Sequence, residues 1–337
     1  MKLLLIGGPR FLGYPLIEAA LKAGHNVTTF NRGRTNPDQF PQVEKLLGDR
    51  EQDLSALTGR SFDIVIDTCG YLPGAVRQTA SLLAGSARLY VFISTISVYA
   101  DQGKTGLVEE DELATISEEE VEKTSSPREI SPENYGPLKA LCEKEVQAQF
   151  SDGALIIRPG LIVGPYDPSD RFTYWVHRLP QGGEVLAPGS PARPVQFIDV
   201  RDLAEGTLRL AEKLETGVFN FTGPDYTLTM GVFLEESNRV CGGNAHLTWV
   251  DDQFILDEKI MPWLGLPLWI PASDPMSRAL GATNITKALS KGLTIRPLAE
   301  TVRATFEWDR VRPSEVLRYA GISLDKEREV LEAWNKK

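Results

Sequence analysis

The stretch LLLIGGPRFLG, residues 3–13, decides the fold of this 337-residue chain. The apolar run from Leu3 to Ile6 has the length of a buried strand and ends abruptly at two glycines. Apolar residues at helical spacing follow from Leu16 to Leu21, and Gly24 is a suitable helix stop. A glycine-rich turn between a strand and a helix presents backbone N–H groups to an anion, so we expect it to bind a dinucleotide diphosphate. The residues of this predicted cradle are Gly7, Gly8, Arg10, Phe11, Leu12 and Gly13.

Further apolar runs repeat this pattern through the first half of the chain. They are separated by helix-length segments and bounded by turn-forming residues. Runs that are apolar throughout indicate parallel strands buried on both faces by helices. The predicted fold class is therefore α/β, with a doubly wound parallel sheet of the Rossmann type. The runs are Val27–Phe30, Ile64–Ile66, Leu89–Ile93 and Leu155–Ile157.

The second half of the chain has a different character. Beyond Pro165 the pattern becomes irregular and richer in Trp and Pro, which predicts a smaller lobe with long loops. We assign residues 1–165 to a dinucleotide-binding Rossmann domain, and residues 166–193 and 216–337 mainly to a substrate-binding lobe. Residues 194–215 are predicted to return to the first domain, so that the lobes interleave in sequence. The tract 262–269 either lines an apolar pocket or forms an oligomer contact, so a homodimer is one of two open alternatives.

Composition excludes several classes of function. The apolar start is too short for a signal peptide, and no run approaches the roughly 18 apolar residues of a membrane span. Cys69, Cys142 and Cys241 lack the spacing of a disulfide framework or a zinc site, which fits a cytoplasmic protein. Three histidines without spaced partners predict no metal site. The net charge of −10 would repel a phosphate backbone, so nucleic acid is not the expected partner.

The end of the second predicted strand bears on the choice of cofactor. An acidic residue there would normally accept a hydrogen bond from the ribose 2′-hydroxyl of NAD. This chain has Asn31-Arg32-Gly33-Arg34 instead, and Arg10 lies in the neighbouring turn. Guanidinium groups match phosphate oxygens, so these arginines favour the 2′-phosphate of NADP. NAD remains an alternative if the arginines are only solvated surface charges.

An acidic insertion precedes the predicted catalytic helix. Eight acidic residues lie between 108 and 122, and Ser and Pro residues flank the segment. This composition favours a solvated loop over a strand. It is either a plain surface loop or a mobile lid, because it lies immediately before Tyr135.

Tyr135 and Lys139 are a candidate catalytic pair, although without the neighbouring motifs an incidental surface pair on a helix is the simpler interpretation. They are four residues apart, so on a helix that begins near Asn134 both side chains project from one face. Pro137 is tolerated if it falls in the first helical turn. A lysine ammonium near a phenol favours the phenolate, and we therefore expect Lys139 to lower the pKa of Tyr135 toward working pH. Tyr135 would then serve as a general acid and base.

Taken together, the motifs resemble the extended short-chain dehydrogenase/reductase family, the group that contains NAD-dependent epimerases and dehydratases. Their order and spacing match over most of the chain. Arg10, in place of the middle glycine of the family's turn, is a feature of atypical members such as reductases of the isoflavone type and chloroplast RNA-binding relatives. The matching segments are Gly7–Gly13, Gly48–Arg50, Phe92–Tyr99, Tyr135–Lys139, Arg158–Gly160 with Gly164-Pro165, and Phe197–Ala204.

The resemblance implies further roles. Thr95 occupies the position of the family's Ser or Thr, whose hydroxyl binds the substrate oxygen, with Ser94 and Ser97 as near alternatives. Lys139 would also bind the nicotinamide ribose. Asp49 would contact the adenine amino group or would only cap a turn, and Pro159-Gly160 would lie against the nicotinamide. Arg158 has no role that the sequence explains.

The chain departs from the sugar-nucleotide enzymes of the family at the substrate. Where those enzymes carry an arginine that binds the substrate diphosphate, this chain has Val195, and Arg193 is a substitute two residues earlier. A UDP-sugar substrate is therefore doubtful. Trp175 could equally be a core residue, and His177 could be a surface residue. The candidate substrate-binding residues of the second lobe are Tyr166, Arg171, Trp175, His177 and Arg193.

Three functions follow from these features. The first is an NADP-dependent oxidoreductase in which Tyr135, Lys139 and Thr95 assist hydride exchange with a carbonyl or hydroxyl of a small-molecule substrate. The second is an NAD-dependent epimerase or dehydratase that acts on a sugar-like substrate and keeps its cofactor bound. The third is a non-catalytic relative that binds nucleotide or RNA. The retained Tyr-Lys pair and the acidic balance weigh against the third.

Overall fold

Apolar runs in the first half of the chain form a parallel sheet. The computed structural model describes residues 1–279, 281–313 and 319–337. The strands of these residues are β1 (Lys2–Ile6), β2 (Asn26–Asn31), β3 (Glu44–Leu47), β4 (Phe62–Asp67), β5 (Ala87–Ile93), β6 (Ala154–Pro159), β7 (Ile162–Val163), β8 (Gly183–Pro188), β9 (Ile198–Asp199), β10 (Gly217–Phe221) and β11 (Ala245–Val250).

Helices connect these strands and form most of the second lobe. Their bounds are α1 (Gly13–Lys22), α2 (Pro73–Leu83), α3 (Glu118–Lys123), α4 (Pro132–Gln149), α5 (Thr173–Arg178), α6 (Val200–Glu212), α7 (Met230–Val240), α8 (Asp252–Asp257), α9 (Met276–Ala279), α10 (Thr286–Lys291), α11 (Leu298–Asp309) and α12 (Leu324–Trp334).

The main sheet has the predicted doubly wound topology. Among the described residues its seven strands run in the order β10-β6-β5-β4-β1-β2-β3, and all neighbouring strands are parallel. Leu3 and Leu5 point to the face covered by α1 and α6, whereas Leu4 and Ile6 point to the face covered by α2 and α4. The strand order reverses between β1 and β4, which opens a crevice at their carboxyl ends. The predicted fold class is therefore confirmed.

The return of the chain to the main sheet is longer than predicted. Helix α6 packs against α1. Strand β10 falls in the range predicted for the substrate-binding lobe, but it pairs with β6 at the edge of the main sheet. Residues 217–221 therefore belong to the first lobe. Its core continues into Phe219 and Phe221, which are buried with residues of α6.

The second lobe has its own core and little sheet. Its buried side chains come from α5, α7, α8 and the tract 262–269. One parallel pair, β8 with β11, lies in this lobe, whereas the two-residue pair of β7 with β9 falls in the ranges assigned to the first domain. Within residues 1–279, 281–313 and 319–337, no helix is both long and apolar enough to cross a membrane. The same residues contain no cluster of His, Cys, Asp and Glu suited to a metal ion.

The acidic insertion is only partly a solvated loop. Its last part forms the short helix α3, none of whose residues is buried. Its first part is anchored: the backbone N–H of Asn220 donates to the Glu109 carboxylate at 2.8 Å, and Arg158 donates to the Glu109 carbonyl at 3.0 Å. Leu113 also forms an isolated bridge with Tyr99. Residues 108–113 form turns and no regular strand, as predicted, but Glu109 and Leu113 attach this part of the insertion to the first lobe.

Candidate active site

The glycine turn forms a tight cradle at the end of β1. The Arg10 N–H donates to the Gly8 carbonyl at 2.7 Å, and the Gly13 N–H donates to the Arg10 carbonyl at 2.9 Å. A Cβ atom on Gly13 would lie 2.0 Å from the Gly8 carbonyl oxygen, so a side chain there would break the turn. Leu12 at the N-cap supplies no side-chain cap, and the first turn of α1 carries no acidic residue. The cradle therefore fits the diphosphate of a dinucleotide.

Asn31 links the end of β2 to this cradle. Its side chain donates to the Gly7 carbonyl at 3.1 Å and accepts from the Gly33 N–H at 2.8 Å. Arg32 and Arg34 are exposed beside it and form no ion pair with a described residue. A cavity of about 220 Å³ opens here, and Asn31 and Gly33 are part of its wall. The sequence-predicted ribose-binding segment thus lies next to open space.

Two other predicted cofactor contacts lie at the carboxyl ends of strands in the same sheet. The Asp49 carboxylate accepts a hydrogen bond from the Glu51 N–H at 3.1 Å, which is the turn-capping role that the sequence left open. Pro159 ends β6, and the Gly160 N–H donates to the Phe221 carbonyl at 2.9 Å. Contacts of Asp49 with adenine and of Pro159-Gly160 with nicotinamide stay predictions. Arg10 is exposed on the glycine turn and forms no ion pair with a described residue.

Thr95, Tyr135 and Lys139 come together where β5 ends. Thr95 is 8% exposed and accepts a hydrogen bond from the Ser97 N–H at 3.1 Å. The Thr95 side chain is close enough to the Tyr135 phenol to lower its pKa. The Lys139 ammonium donates to the carbonyls of Gly70 and Ile93, both at 2.7 Å. The arrangement places a phenol, a hydroxyl and an ammonium at the carboxyl ends of β4 and β5.

Helix α4 differs in one respect from the prediction. It begins at Pro132, two residues before Asn134, because Ser131 caps it by accepting from the Asn134 N–H at 3.2 Å. Pro137 therefore lies in the second turn rather than the first, and it cannot donate to the Glu133 carbonyl. Tyr135 and Lys139 still share one face.

The pKa values of the catalytic pair differ from the sequence-based expectation. Burial raises the pKa of Tyr135 to about 12, while the Thr95 hydroxyl and the Arg171 charge oppose this rise. Burial lowers the pKa of Lys139. The expectation that Lys139 brings the pKa of Tyr135 toward working pH is wrong for the chain itself. The physical reason is that the ammonium is directed at two main-chain carbonyls and desolvation of the phenol dominates.

Gly136 is a functional residue that the sequence did not reveal. A Cβ atom at this position would lie 2.0 Å from the carbonyl oxygen of Ser97. Glycine therefore lets α4 approach the short 3-10 turn Ile96–Val98, which follows Thr95. This close approach brings the phenol of Tyr135 to the hydroxyl of Thr95. Within the Tyr-x-x-x-Lys segment, the small residue next to Tyr135 was the available signal.

A buried polar network supports the same helix and gives Arg158 a role. Glu143, one further turn beyond Lys139, accepts two hydrogen bonds from Arg158 at 2.9 and 2.7 Å. Arg158 also donates to the Tyr99 hydroxyl at 3.0 Å, and Tyr99 donates to the Asn220 side chain at 2.6 Å. All four side chains are at most 3% exposed. The network joins α4 to β6 and β10, so it holds the helix that carries the catalytic pair.

Three of the five candidate substrate-binding residues in the second lobe already make packing or polar contacts within the protein. Trp175 has no exposed surface and donates to the Pro267 carbonyl at 2.9 Å, so the expectation of a substrate contact is wrong there. Arg193 donates to the Asp252 carboxylate at 3.1 and 2.7 Å and to the Ile270 carbonyl at 2.8 Å. His177 lies on α5 with its ring 2.8 Å from the Asp309 carboxylate.

The other two candidates border the site. Tyr166 is 44% exposed and stacks on Tyr14, which follows the glycine turn, with 4.7 Å between ring centroids. Arg171 is half-buried, and its charge lowers the pKa of Tyr135. Arg171 therefore lies close enough to the predicted catalytic tyrosine for its charge to act on the phenol.

Comparison with known proteins identifies the relatives of this arrangement. The profile described as the NAD dependent epimerase/dehydratase family matches residues 3–221. A crystal structure of UDP-glucuronic acid 4-epimerase from Bacillus cereus in complex with NAD shares 18% identity and superposes with a TM-score of 0.64, covering 92% of this chain and 99% of that one. UDP-N-acetylglucosamine 4-epimerase from Bacillus cereus shares 15% identity with a TM-score of 0.68, covering 95% and 100%. These similarities show a shared fold.

One curated relative is named for stem-loop binding rather than for epimerase activity. The chloroplast stem-loop binding protein of 41 kDa b of Arabidopsis thaliana is 27% identical over 254 residues. The match covers 68% of this chain and only 61% of the length of that protein.

Proposed function

The chain belongs to the NAD dependent epimerase/dehydratase family, and from this premise we propose that it catalyses reversible oxidation of a hydroxyl-bearing carbon in a sugar-like substrate, with the nicotinamide dinucleotide regenerated within each cycle. The observation that carries the proposal is the assembly of Thr95, Tyr135 and Lys139 beside the glycine cradle. The chain is an enzyme of the short-chain dehydrogenase/reductase type. This reaction is the second of the three functions that the sequence indicates, and it replaces net reduction by NADPH as the preferred one.

The residues that would hold the cofactor follow from the geometry. The glycine turn and the N-terminus of α1 would bind the diphosphate, and Asn31 with its neighbouring arginines would bind the adenosine ribose. Lys139 has a third N–H available beyond the two that bind main-chain carbonyls, which supports contact with the second ribose. The bound nicotinamide supplies the hydride acceptor and donor for the substrate carbon.

The protein's own part of the reaction is proton transfer and orientation. At neutral pH a phenol with a pKa of about 12 is protonated, so Tyr135 is ready to donate its proton to a substrate carbonyl oxygen. In the opposite direction Tyr135 must act as a base, which Thr95 and Arg171 favour because both lower its pKa. Thr95 also offers a hydroxyl that would hold the substrate oxygen near the phenol.

A second candidate is an NADP-dependent oxidoreductase that releases its oxidised cofactor. The observation that favours it is the exposure of Arg10, Arg32 and Arg34 around the end of β2 without ion-pair partners among the described residues. Three such cations would attract the 2′-phosphate of NADP.

Nucleotide retention separates the two candidates. The purified full-length protein should be denatured and its released nucleotide identified, and turnover should then be followed by nicotinamide absorbance and by product analysis. Retained nucleotide and turnover without net absorbance change support the epimerase or dehydratase. Stoichiometric consumption of added NADPH supports the oxidoreductase. Absence of both binding and turnover would contradict each of them and leave a binding role such as the name of the plant relative suggests.

A further inference from the structure

Arg171 differs from Arg178, Arg193 and Arg312 of the second lobe because it has no directly ion-paired acidic partner. Arg193 is paired with Asp252, and Arg178 and Arg312 are paired with Glu327 and Asp170. Arg171 forms no ion pair with a described residue; its only hydrogen bond runs from Nε to the Ser169 hydroxyl at 3.1 Å. Its two terminal nitrogens have no partner among the described residues, yet they are not sealed from solvent. A half-buried guanidinium whose charge acts on Tyr135 thus keeps its terminal donors unused.

The loop that carries Arg171 is braced and conformationally unusual. Tyr166 and Asp170 both have positive φ, at 69° and 54°, which non-glycine residues adopt only where the surroundings enforce it. Stacking of Tyr166 on Tyr14 and the Asp170–Arg312 ion pair provide that enforcement. The Arg171 guanidinium is packed against the Trp263 ring, with 5.4 Å from Cζ to the ring centroid. Its position is therefore fixed before any substrate binds.

Asp167 attracts this cation but forms no direct ion pair with it. Asp167 is 3% exposed, and its carboxylate accepts from both the N–H and the hydroxyl of Ser169 at 2.7–2.9 Å. The carboxylate is directed at Ser169, and no hydrogen bond joins it to Arg171. Burying a cation without a direct partner is unfavourable, and a perturbed charged group near a site is a candidate for a functional role.

We propose that Arg171 is the receptor for an oxyanion of the substrate, so that the enzyme acts on a sugar-like acid or phosphate whose anionic group lies close to the carbon that reacts at Tyr135. The inference rests on the proposed function and specifies its substrate class. The two terminal nitrogens of a guanidinium match the two oxygens of a carboxylate or phosphate. Trp263 and Ser169 act as positioning residues because they hold the guanidinium in place.

The same geometry disfavours a nucleoside diphosphate at the position used by sugar-nucleotide enzymes. Val195 is 1% exposed and uncharged, and Arg193 is held by Asp252 and the Ile270 carbonyl. Val195 has no charge to offer a diphosphate, and the charge of Arg193 is already paired with Asp252. Arg171 is thus a cation near Tyr135 that an anionic substrate group could use, and an anion bound there would lie next to the reacting carbon rather than at the far end of the substrate.

Binding of matched small probes tests the proposal. NMR titrations of the full-length protein with D-glucuronate, D-glucose 6-phosphate and D-glucose compare a carboxylate, a phosphate and a neutral sugar. The variants are Arg171→Gln, Arg171→Lys and, as a control on an exposed arginine of α9, Arg278→Gln. We expect at least one anionic probe to bind wild type about tenfold or more tightly than D-glucose, and Arg171→Gln to lose about 10- to 100-fold in that affinity. The better probe identifies the source of the oxyanion.

The control and the second variant make the outcome decisive. Arg278→Gln should bind like wild type, and Arg171→Lys should be intermediate, because lysine keeps the charge but not the paired donors. Equal binding of D-glucose and both anions, no binding of either anion, or wild-type affinity in Arg171→Gln would overturn the proposal. If Arg171→Gln does not fold, wild-type affinity in Arg171→Lys overturns it and a several-fold loss supports it. Cofactor binding is measured separately, so failure here leaves the proposed function intact.

Discussion

The two walls of the cleft are built in opposite ways. The first-lobe wall presents Thr95, Tyr135 and Lys139 from a strand end and a long helix, and buried hydrogen bonds hold the helix. The second-lobe wall presents Arg171 from a loop with positive φ values at Tyr166 and Asp170. Regular structure carries the groups that the reaction requires, whereas a braced loop carries the group that we assign to substrate recognition.

This difference separates two kinds of mutational effect. Changes in the first-lobe wall should remove catalysis or destabilise the fold, because the groups there are buried and bonded to the sheet. Changes in the second-lobe wall should alter binding and pH dependence while the protein stays folded. The following variants test this difference between the two walls, in order of decreasing expected effect.

Removing the phenolic hydroxyl should abolish most turnover. Tyr135→Phe deletes the proton donor, and we expect kcat to fall by about 10²–10⁴-fold, the usual contribution of a positioned general acid or base. Calorimetry should show cofactor affinity within about twofold of wild type, since the hydroxyl is aimed at the substrate oxygen. Turnover equal to wild type would disprove the catalytic assignment.

Breaking the buried ion pair behind the catalytic helix should destabilise the fold. Glu143→Gln leaves the Arg158 charge without its partner, and we expect a loss of about 3–5 kcal/mol in the free energy of unfolding in urea. Glu145→Gln is the matched control, because Glu145 lies on the same helix and its pair with Arg77 is solvent-exposed. That control should lose no more than about 1 kcal/mol. Equal losses in both variants would refute the role of the network.

Adding one methyl group should separate α4 from the turn after Thr95. Gly136→Ala places a Cβ atom against the Ser97 carbonyl, so we expect a loss of about 1–3 kcal/mol in stability together with reduced kcat. In contrast, a Cβ atom on Gly74 of α2 meets nothing within 4 Å. Gly74→Ala should therefore be neutral or stabilising by up to about 1 kcal/mol. Thermal unfolding and initial rates of both variants check this contrast.

The smallest effect should be a change in pH dependence. The Arg171 charge lowers the pKa of Tyr135, so Arg171→Gln should raise that pKa further. In the direction that requires phenolate, the rate increases with pH, and the variant should need a higher pH for the same rate. We expect a rate about two- to tenfold below wild type at a given alkaline pH, with saturating substrate. An unchanged pH profile would show that the Arg171 charge does not affect the pKa of the Tyr135 phenol.

The sequence predicts the first lobe well because its strands are buried on both faces. The five apolar runs all became strands of the main sheet. Strand β3 is not evident in the sequence, because Glu44 and Lys45 lie exposed at the sheet edge and leave no apolar run. Strand β10 is short and pairs only after a long crossover, so its place depends on tertiary contacts.

For the site, residue types and spacing reveal the chemistry but not the environment. The Tyr135–Lys139 spacing predicts their shared helix face, yet the pKa of Tyr135 depends on burial, which spacing does not report. Trp175 and Arg171 look equally suitable as pocket residues in the sequence. Only packing separates them, since Trp175 is sealed in the lobe core and Arg171 is left with free donors.

Calorimetric titration with NADPH and, separately, NADH tests the central claim most directly, after any bound nucleotide has been removed. The account predicts that wild type binds one nicotinamide dinucleotide per chain and that Gly13→Val, which blocks the cradle, does not. A preference for NADPH of about tenfold or more, equivalent to about 1.4 kcal/mol, would assign the exposed arginines to the 2′-phosphate. Binding of neither dinucleotide by folded wild-type protein would contradict the account.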